Sequence, residues 1–170
     1  REARLAIFYV LEKLMRNDKI IVQLFTDDKF LDSYLPLVVE TALQPFILST
    51  FAKFATTTYI TENSIFGTKI ISLLDDVFQN LNESAYITKC RKLLDGLNEI
   101  IENDQVYCLL FSKAIPSICN GALKLPKSSE SSLFLISMIQ FLTSETRAHH
   151  LKNVESSALE TTISRVVGKD

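Results

Sequence analysis

The 170-residue chain has few of the residues that interrupt helices. It contains four glycines and four prolines, where average usage would give about 20 of the two together. Strands joined by tight turns need glycine, proline, asparagine and aspartate at set positions, so this scarcity favours an all-α fold. An apolar fraction of 47 % excludes bulk disorder, and the length suits a single domain over residues 1–170.

Concentrated charge and long apolar runs are also missing. The net charge is −2 and the densest basic stretch is the interrupted Lys89-Cys90-Arg91-Lys92, which argues against nucleic acid as the partner. No apolar run reaches the roughly 18–20 residues of a membrane span. The chain opens on Arg1, without an initiator Met or a signal-peptide pattern, so we expect it to be part of a longer protein.

Residues that could ligate metals or act as nucleophiles are sparse and poorly spaced. Cys90, Cys108 and Cys119 lack CxxC spacing and lie in apolar stripes, so we expect reduced, inert thiols in a cytoplasmic or nuclear protein. The two histidines, His149 and His150, are adjacent and would point about 100° apart on a helix. That geometry does not hold a shared metal in the i, i+4 manner.

Two pairs of adjacent carboxylates, Asp27-Asp28 and Asp75-Asp76, remain as candidates for acid–base chemistry. Adjacent acids are far more often helix caps and solvated charge. The chain also lacks nucleotide-binding, hydrolase and zinc-protease motifs. The sequence therefore predicts a protein that is not an enzyme and has no cofactor, metal or small-molecule substrate.

The most informative feature present is an internal repeat. A segment that ends in Asn17-Asp18 returns 86 positions later, where it ends in Asn103-Asp104. A second segment, around Pro36, returns 80 positions later around Pro116. Self-similarity at such a spacing is typical of stacked helical units. The alternative is a set of unrelated amphipathic helices, which look alike because few residue types build a helix.

Half of the repeat distance divides the chain into four units, at about 1–43, 44–84, 85–125 and 126–170. Apolar residues recur every three to four positions within them and predict helices joined by short loops. Asn17 and Asp27 are the expected caps of the second and third helices, and Ser131 or Ser132 is the expected cap of the helix that follows the Pro126 loop. Thr56-Thr57-Thr58 is an expected loop. The predicted helices cover Glu2–Arg16, Lys19–Phe25, Asp28–Tyr34, a segment opened by Pro36, Phe46–Ala55, Asn63–Leu81, Tyr86–Glu102, Asp104–Lys113, Pro116–Leu125, Leu133–Leu142, Thr146–Lys152 and Glu155–Val167.

The third unit carries a family resemblance. Its Lys113-Ala114-Ile115-Pro116-Ser117-Ile118 is close to the Gly-x-Ile-Pro-x-Leu signature of armadillo units, and the chain resembles the armadillo/HEAT family. The resemblance implies a right-handed α-solenoid of about four units, in which third helices line a groove and Asn120 holds a peptide backbone. Glu40 stands in the corresponding place of the first unit and the chain has no Trp, which argues against a regular importin-α-like peptide ladder.

These observations predict a scaffold or regulatory module that binds a partner protein or peptide along its helical surface. One alternative is a fragment of a karyopherin-type nuclear transport receptor. Another is an RNA-binding helical repeat, for which Lys89, Arg91 and Lys92 with Tyr86 form the one basic and aromatic cluster. A second candidate surface is Asp27–Asp32. The residues predicted to bind the partner are expected to be exposed on or near the third helices: Asn120, Lys113, Lys124, Glu40, Gln44, Lys69 and Asp76.

Overall fold

The computed structural model describes residues 2–57, 60–103 and 110–143, together with 160 and 164. Within these ranges the chain is helical and has no strand, which confirms the predicted all-α class. A short 3-10 helix, Leu35–Val39, lies between the third and fourth α-helices. The α-helices are α1 (Glu2–Leu14), α2 (Asp18–Phe25), α3 (Asp28–Tyr34), α4 (Gln44–Thr57), α5 (Ile65–Gln79), α6 (Ser84–Asn103), α7 (Ile115–Ala122) and α8 (Ser129–Thr143).

Several predictions fall where the structure gives no description. Cys108, the adjacent histidines His149 and His150, and the predicted helix Thr146–Lys152 lie outside the described residues. Of the predicted helix Glu155–Val167, only positions 160 and 164 are described, and both are helical. In the described parts of the chain, no helix is long and apolar enough to cross a lipid bilayer.

Polar side chains start the early helices where the sequence predicts. The Asn17 side chain accepts a hydrogen bond from the backbone N–H of Lys19 at 3.0 Å and so caps α2. Asp27 caps α3 by accepting from the N–H of Phe30 at 2.7 Å. Asp28 lies in the first turn of α3, where a negative charge is favourable. The acidic pair Asp27-Asp28 is thus a helix start, as predicted.

Several predicted helix ends differ from the observed ones, and the predicted cap of α8 and the predicted loop after α4 are wrong. Helix α8 begins at Ser129, because the hydroxyl of Ser128 accepts from the N–H of Ser131 at 3.1 Å and is the cap. Ser131 itself is buried. Helix α4 continues through Thr57, inside the stretch predicted as a loop. The buried ring of Phe54 holds this end of α4 against the core, and the Thr57 hydroxyl donates to the Phe54 carbonyl at 2.9 Å.

Several helices pack against helices that do not directly follow them in the chain; α1, for example, contacts α4. Helix α2 contacts α4, α4 contacts α6 and α6 contacts α8, while α3 and the 3-10 helix contact α5 and α5 contacts α7. The predicted third helices of the first three units are the 3-10 helix, α5 and α7, so each lies next to the following one. One core of buried apolar side chains runs between the helices. Its widest aromatic cluster surrounds Phe25, whose ring stacks on that of Phe66 at 5.3 Å.

Candidate functional site

Two of the predicted partner-binding cations are already matched by carboxylates of this chain. The Lys69 ammonium on α5 bonds to Asp32 and lies 3.1 Å from Asp28, and these two carboxylates raise the pKa of Lys69. The Lys113 ammonium, in the turn before α7, lies 2.9 Å from a carboxylate oxygen of Glu62. Surface ion pairs of this kind link neighbouring segments and contribute little to stability.

Other predicted residues lie on the surface. Asp76 on α5, Asn120 on α7, Lys124 in the turn after α7, and Glu40 after the 3-10 helix are all exposed. None of these four side chains forms an ion pair with another described residue. Their role in partner binding stays a prediction.

The Asn120-Gly121 pair lies in the last turn of α7, which ends at Ala122. Gly121 is buried against α5, and a Cβ atom there would stand 1.9 Å from the carbonyl oxygen of Phe78. Only a residue without a Cβ permits this approach of the two helices. The glycine therefore has a packing role, while Asn120 faces away from the core.

Gln44 is the predicted residue whose environment differs most from expectation. The sequence predicts that it is exposed, and this is wrong, because only 8 % of its surface is accessible. Its amide nitrogen donates to the carbonyl oxygen of Val38 at 3.1 Å and satisfies a backbone acceptor at the end of the 3-10 helix. The rest of its side chain lines a groove between α4 and α6.

This groove has a volume of about 770 Å³ and mixes apolar and polar walls. Gly96 lies in the middle of its α6 wall, where a Cβ would stand 2.5 Å from a terminal methyl of Leu48 on α4. The missing Cβ lets α4 and α6 approach at this level. The groove is lined by Thr41, Gln44, Pro45, Leu48, Ser49, Ala52, Lys92, Asp95, Gly96, Glu99 and Ile100.

The amide of Gln44 is only half satisfied. Its oxygen lies 3.8 Å from the position that a Cβ of Gly96 would occupy, so it faces the α6 wall of the groove. It accepts no hydrogen bond from any residue that the structure describes. This oxygen is therefore an acceptor in the groove to which the N–H of a ligand can bond.

A smaller cavity of about 290 Å³ adjoins the groove, since Thr41 lines both. Its walls combine the N-terminal part of α1, the turn after the 3-10 helix and the first half of α6. Two cations, Arg4 and Lys89, and one carboxylate, Glu40, line it. The remaining lining residues are Leu5, Thr41, Ala42 and Leu43.

The charges of the groove and of the adjoining cavity are unequally matched. Asp95 pairs with Arg91, one turn earlier on α6, at 3.7 Å. In contrast, Arg4, Lys89 and Lys92 form no ion pair with any described residue. The cavity beside α1, lined by Arg4 and Lys89, therefore carries positive charge that no described carboxylate pairs with; we call it the α1 end of this surface.

The two described cysteines, Cys90 and Cys119, are expected to be unreactive. Cys90 and Cys119 are buried free thiols, and burial raises the pKa of Cys90 to about 12 and that of Cys119 to about 11. The thiolate is the nucleophilic form, so these side chains are inert near neutral pH. This outcome confirms the predicted core role of these two residues. Asp75, one of the predicted acid–base candidates, accepts a hydrogen bond from the Ser117 hydroxyl on α7.

Most of the groove residues were not predicted from the sequence. Gly96 is the sequence feature that could have indicated the groove. A glycine inside a 20-residue helix costs about 1 kcal/mol relative to alanine, which suggests that another segment packs closely against it. Lys89 and Lys92 were assigned to a possible RNA-binding cluster, but nothing in the sequence pointed to Arg4, since its proximity to α6 depends on the tertiary fold.

The chain matches no protein family, no curated protein and no solved structure in comparisons of sequence and fold.

Proposed function

We propose that this chain is a non-enzymatic protein-interaction module that binds a peptide segment of a partner protein in the groove between α4 and α6. The proposal includes an α-solenoid arrangement of four helical units and a role as part of a scaffold or regulatory protein of the cytoplasm or nucleus.

The contact pattern supports the solenoid. In stacked helical repeats, each helix packs against the equivalent helix of the next unit. The successive contacts between the first helices of the units, α1 with α4, α4 with α6 and α6 with α8, have this form, as do those of the 3-10 helix with α5 and of α5 with α7. The internal sequence repeat is an independent argument for the same arrangement.

The observation that carries the binding function is the half-satisfied amide of Gln44 in the wall of a groove of about 770 Å³. Binding sites are concave and mostly apolar, with a few polar groups that fix the orientation of the ligand. Here Pro45, Leu48 and Ala52 supply the apolar wall, and the Gln44 oxygen supplies the orienting acceptor. An extended peptide offers a backbone N–H at every residue except proline, which matches that acceptor.

A peptide fits the surface better than RNA. Single-stranded RNA is held by aromatic rings on which its bases stack, and no aromatic side chain lines either cavity among the described residues. Tyr86, the aromatic member of the basic cluster, is half-buried beside Cys90, and burial raises its pKa to about 12. No feature of the groove favours a nuclear transport receptor in particular.

The experiment is a selection of displayed random octapeptides on the 170-residue chain, followed by affinity measurement with synthetic copies of the enriched sequences. Ser49→Trp fills the groove from its α4 wall, and we expect it to weaken binding at least tenfold. Ser72→Trp is the matched control: Ser72 is likewise an exposed serine in a helix, but it lies on α5, outside the groove. The peptide affinity of Ser72→Trp should stay within twofold of that of the unmodified chain.

Circular dichroism of both variants checks that the helical fold is kept. Enriched peptides whose binding is lost in Ser49→Trp and kept in Ser72→Trp support the proposal. No enrichment at all, or equal binding to both variants, would overturn it.

A further inference from the structure

We infer that the peptide recognised by this groove is extended and acidic, with a carboxylate side chain placed against Arg4 and Lys89 about three residues from the backbone N–H that bonds to Gln44. This inference rests on the proposed function and adds the chemistry and register of the ligand.

The charge balance of the surface selects an acidic ligand. Near the Gly96 level of the groove, Asp95 is already paired with Arg91, and Glu99 also interacts within the chain. At the α1 end, Arg4 and Lys89 share a cavity with Glu40 alone among carboxylates, and neither is ion-paired to a described residue. A ligand carboxylate therefore finds two unmatched cations at the α1 end, whereas a ligand cation near Gly96 finds Asp95 already paired.

The helix geometry sets the spacing. Lys89 and Gly96 lie seven residues apart on α6, which corresponds to about 10 Å along the helix axis. The Gln44 oxygen faces Gly96, so the same distance separates this acceptor from the Lys89 level of the cavity. An extended chain covers about 10 Å in three residues. An acidic residue three positions from the hydrogen-bonded residue therefore reaches the cations.

Two orienting features at opposite ends set the register of the ligand along α6. The Gln44 oxygen accepts at the groove, and the basic pair attracts negative charge at the adjoining cavity. Thr41, which lines both, has a side-chain hydroxyl that can bond to the peptide between these points.

The test uses the octapeptides enriched on the unmodified chain. We expect Asp or Glu at one fixed position, and a change of that residue to Asn or Gln should weaken binding at least fivefold. The double variant Arg4→Gln/Lys89→Gln should lose at least tenfold in affinity for the acidic peptide and little for its amide version. The matched control is Lys19→Gln/Lys29→Gln, which removes two exposed lysines of α2 and α3 that are not ion-paired to described residues.

The outcomes separate this inference from the proposed function. Peptides that bind, are blocked by Ser49→Trp, and show no acidic position or no loss with Arg4→Gln/Lys89→Gln overturn the inference and leave the proposed function standing. Absence of any groove-dependent peptide overturns both. An eight-nucleotide oligo(U) that binds in place of any peptide, and is lost in Arg4→Gln/Lys89→Gln, overturns both in favour of nucleic acid.

Discussion

Gly121 of α7 is packed against the backbone of Phe78 on α5, so closely that a Cβ atom at Gly121 would stand 1.9 Å from the Phe78 carbonyl oxygen. The obstacle is main chain, which cannot rotate away as a side chain does. The contact therefore sets how closely α5 and α7 approach, and with them two of the predicted repeat units.

Gly121→Ala should destabilise the fold by about 1–3 kcal/mol, the usual cost of overpacking a well-filled core. The steric cost outweighs the gain of about 1 kcal/mol from the better helix propensity of alanine. Urea denaturation followed by circular dichroism gives the free energy of unfolding of both chains. A variant as stable as the unmodified chain would contradict this close packing of α5 and α7.

Gly96→Ala is the matched substitution in the contact between α4 and α6, and we expect the free energy of unfolding to change by no more than about 1 kcal/mol. Its new methyl group would meet only the flexible end of Leu48, a half-buried side chain that can turn into the groove. The same displacement should reduce the affinity of groove-bound peptides. Equal destabilisation by the two glycine substitutions would show that the nature of the obstacle, backbone or side chain, does not matter.

Local features of the fold could be predicted from the sequence, whereas features that depend on tertiary packing could not. Helices and early caps such as Asn17 could be predicted, because apolar periodicity and capping are local properties. The burial of Gln44 could not, since its reason is a backbone carbonyl of Val38 left open by a 3-10 helix. The groove was also beyond prediction, because α4 and α6 lie far apart in sequence and their separation in space depends on side chains such as Leu48.

The buried thiols predict slow chemical labelling. In a Cys108→Ser background, Cys90 and Cys119 should resist Ellman's reagent at pH 8 in the folded protein, because both are buried and their pKa values are raised. Addition of urea should release two thiols per chain at the rate of unfolding. Rapid reaction of either thiol in native buffer would contradict its burial.

Stability should fall as the pH rises from about 9 to 12. Burial raises the folded pKa of Cys90 from an ordinary 9.0 to about 12, and that of Tyr34 from 10.0 to about 12. Above the unfolded values, the unfolded chain loses these protons while the folded chain keeps them, so unfolding is favoured. The stabilisation is complete below pH 9 and is lost progressively as the pH approaches the folded values.

Urea denaturation at a series of pH values measures this loss. The double variant Cys90→Ala/Tyr34→Phe should show a shallower decline over the same range, although it is less stable overall. A decline of the same slope in both chains would assign the pH dependence to other groups.

Asn120→Ala separates the two candidate binding surfaces. The Asn120 side chain is exposed near the end of α7 and forms no hydrogen bond with a described residue, so the free energy of unfolding of Asn120→Ala should change by no more than about 0.5 kcal/mol.

If partners bind in the groove between α4 and α6, the peptide affinity of Asn120→Ala should also stay unchanged, because α7 packs against α5 and α8 and does not line that groove. The resemblance to armadillo units predicts instead that affinity falls by about 1–3 kcal/mol, the cost of an unsatisfied hydrogen-bond partner. Isothermal titration with an enriched octapeptide, with Ser49→Trp measured alongside, distinguishes the two: loss in Asn120→Ala with full binding in Ser49→Trp would place the ligand on the row formed by α5 and α7.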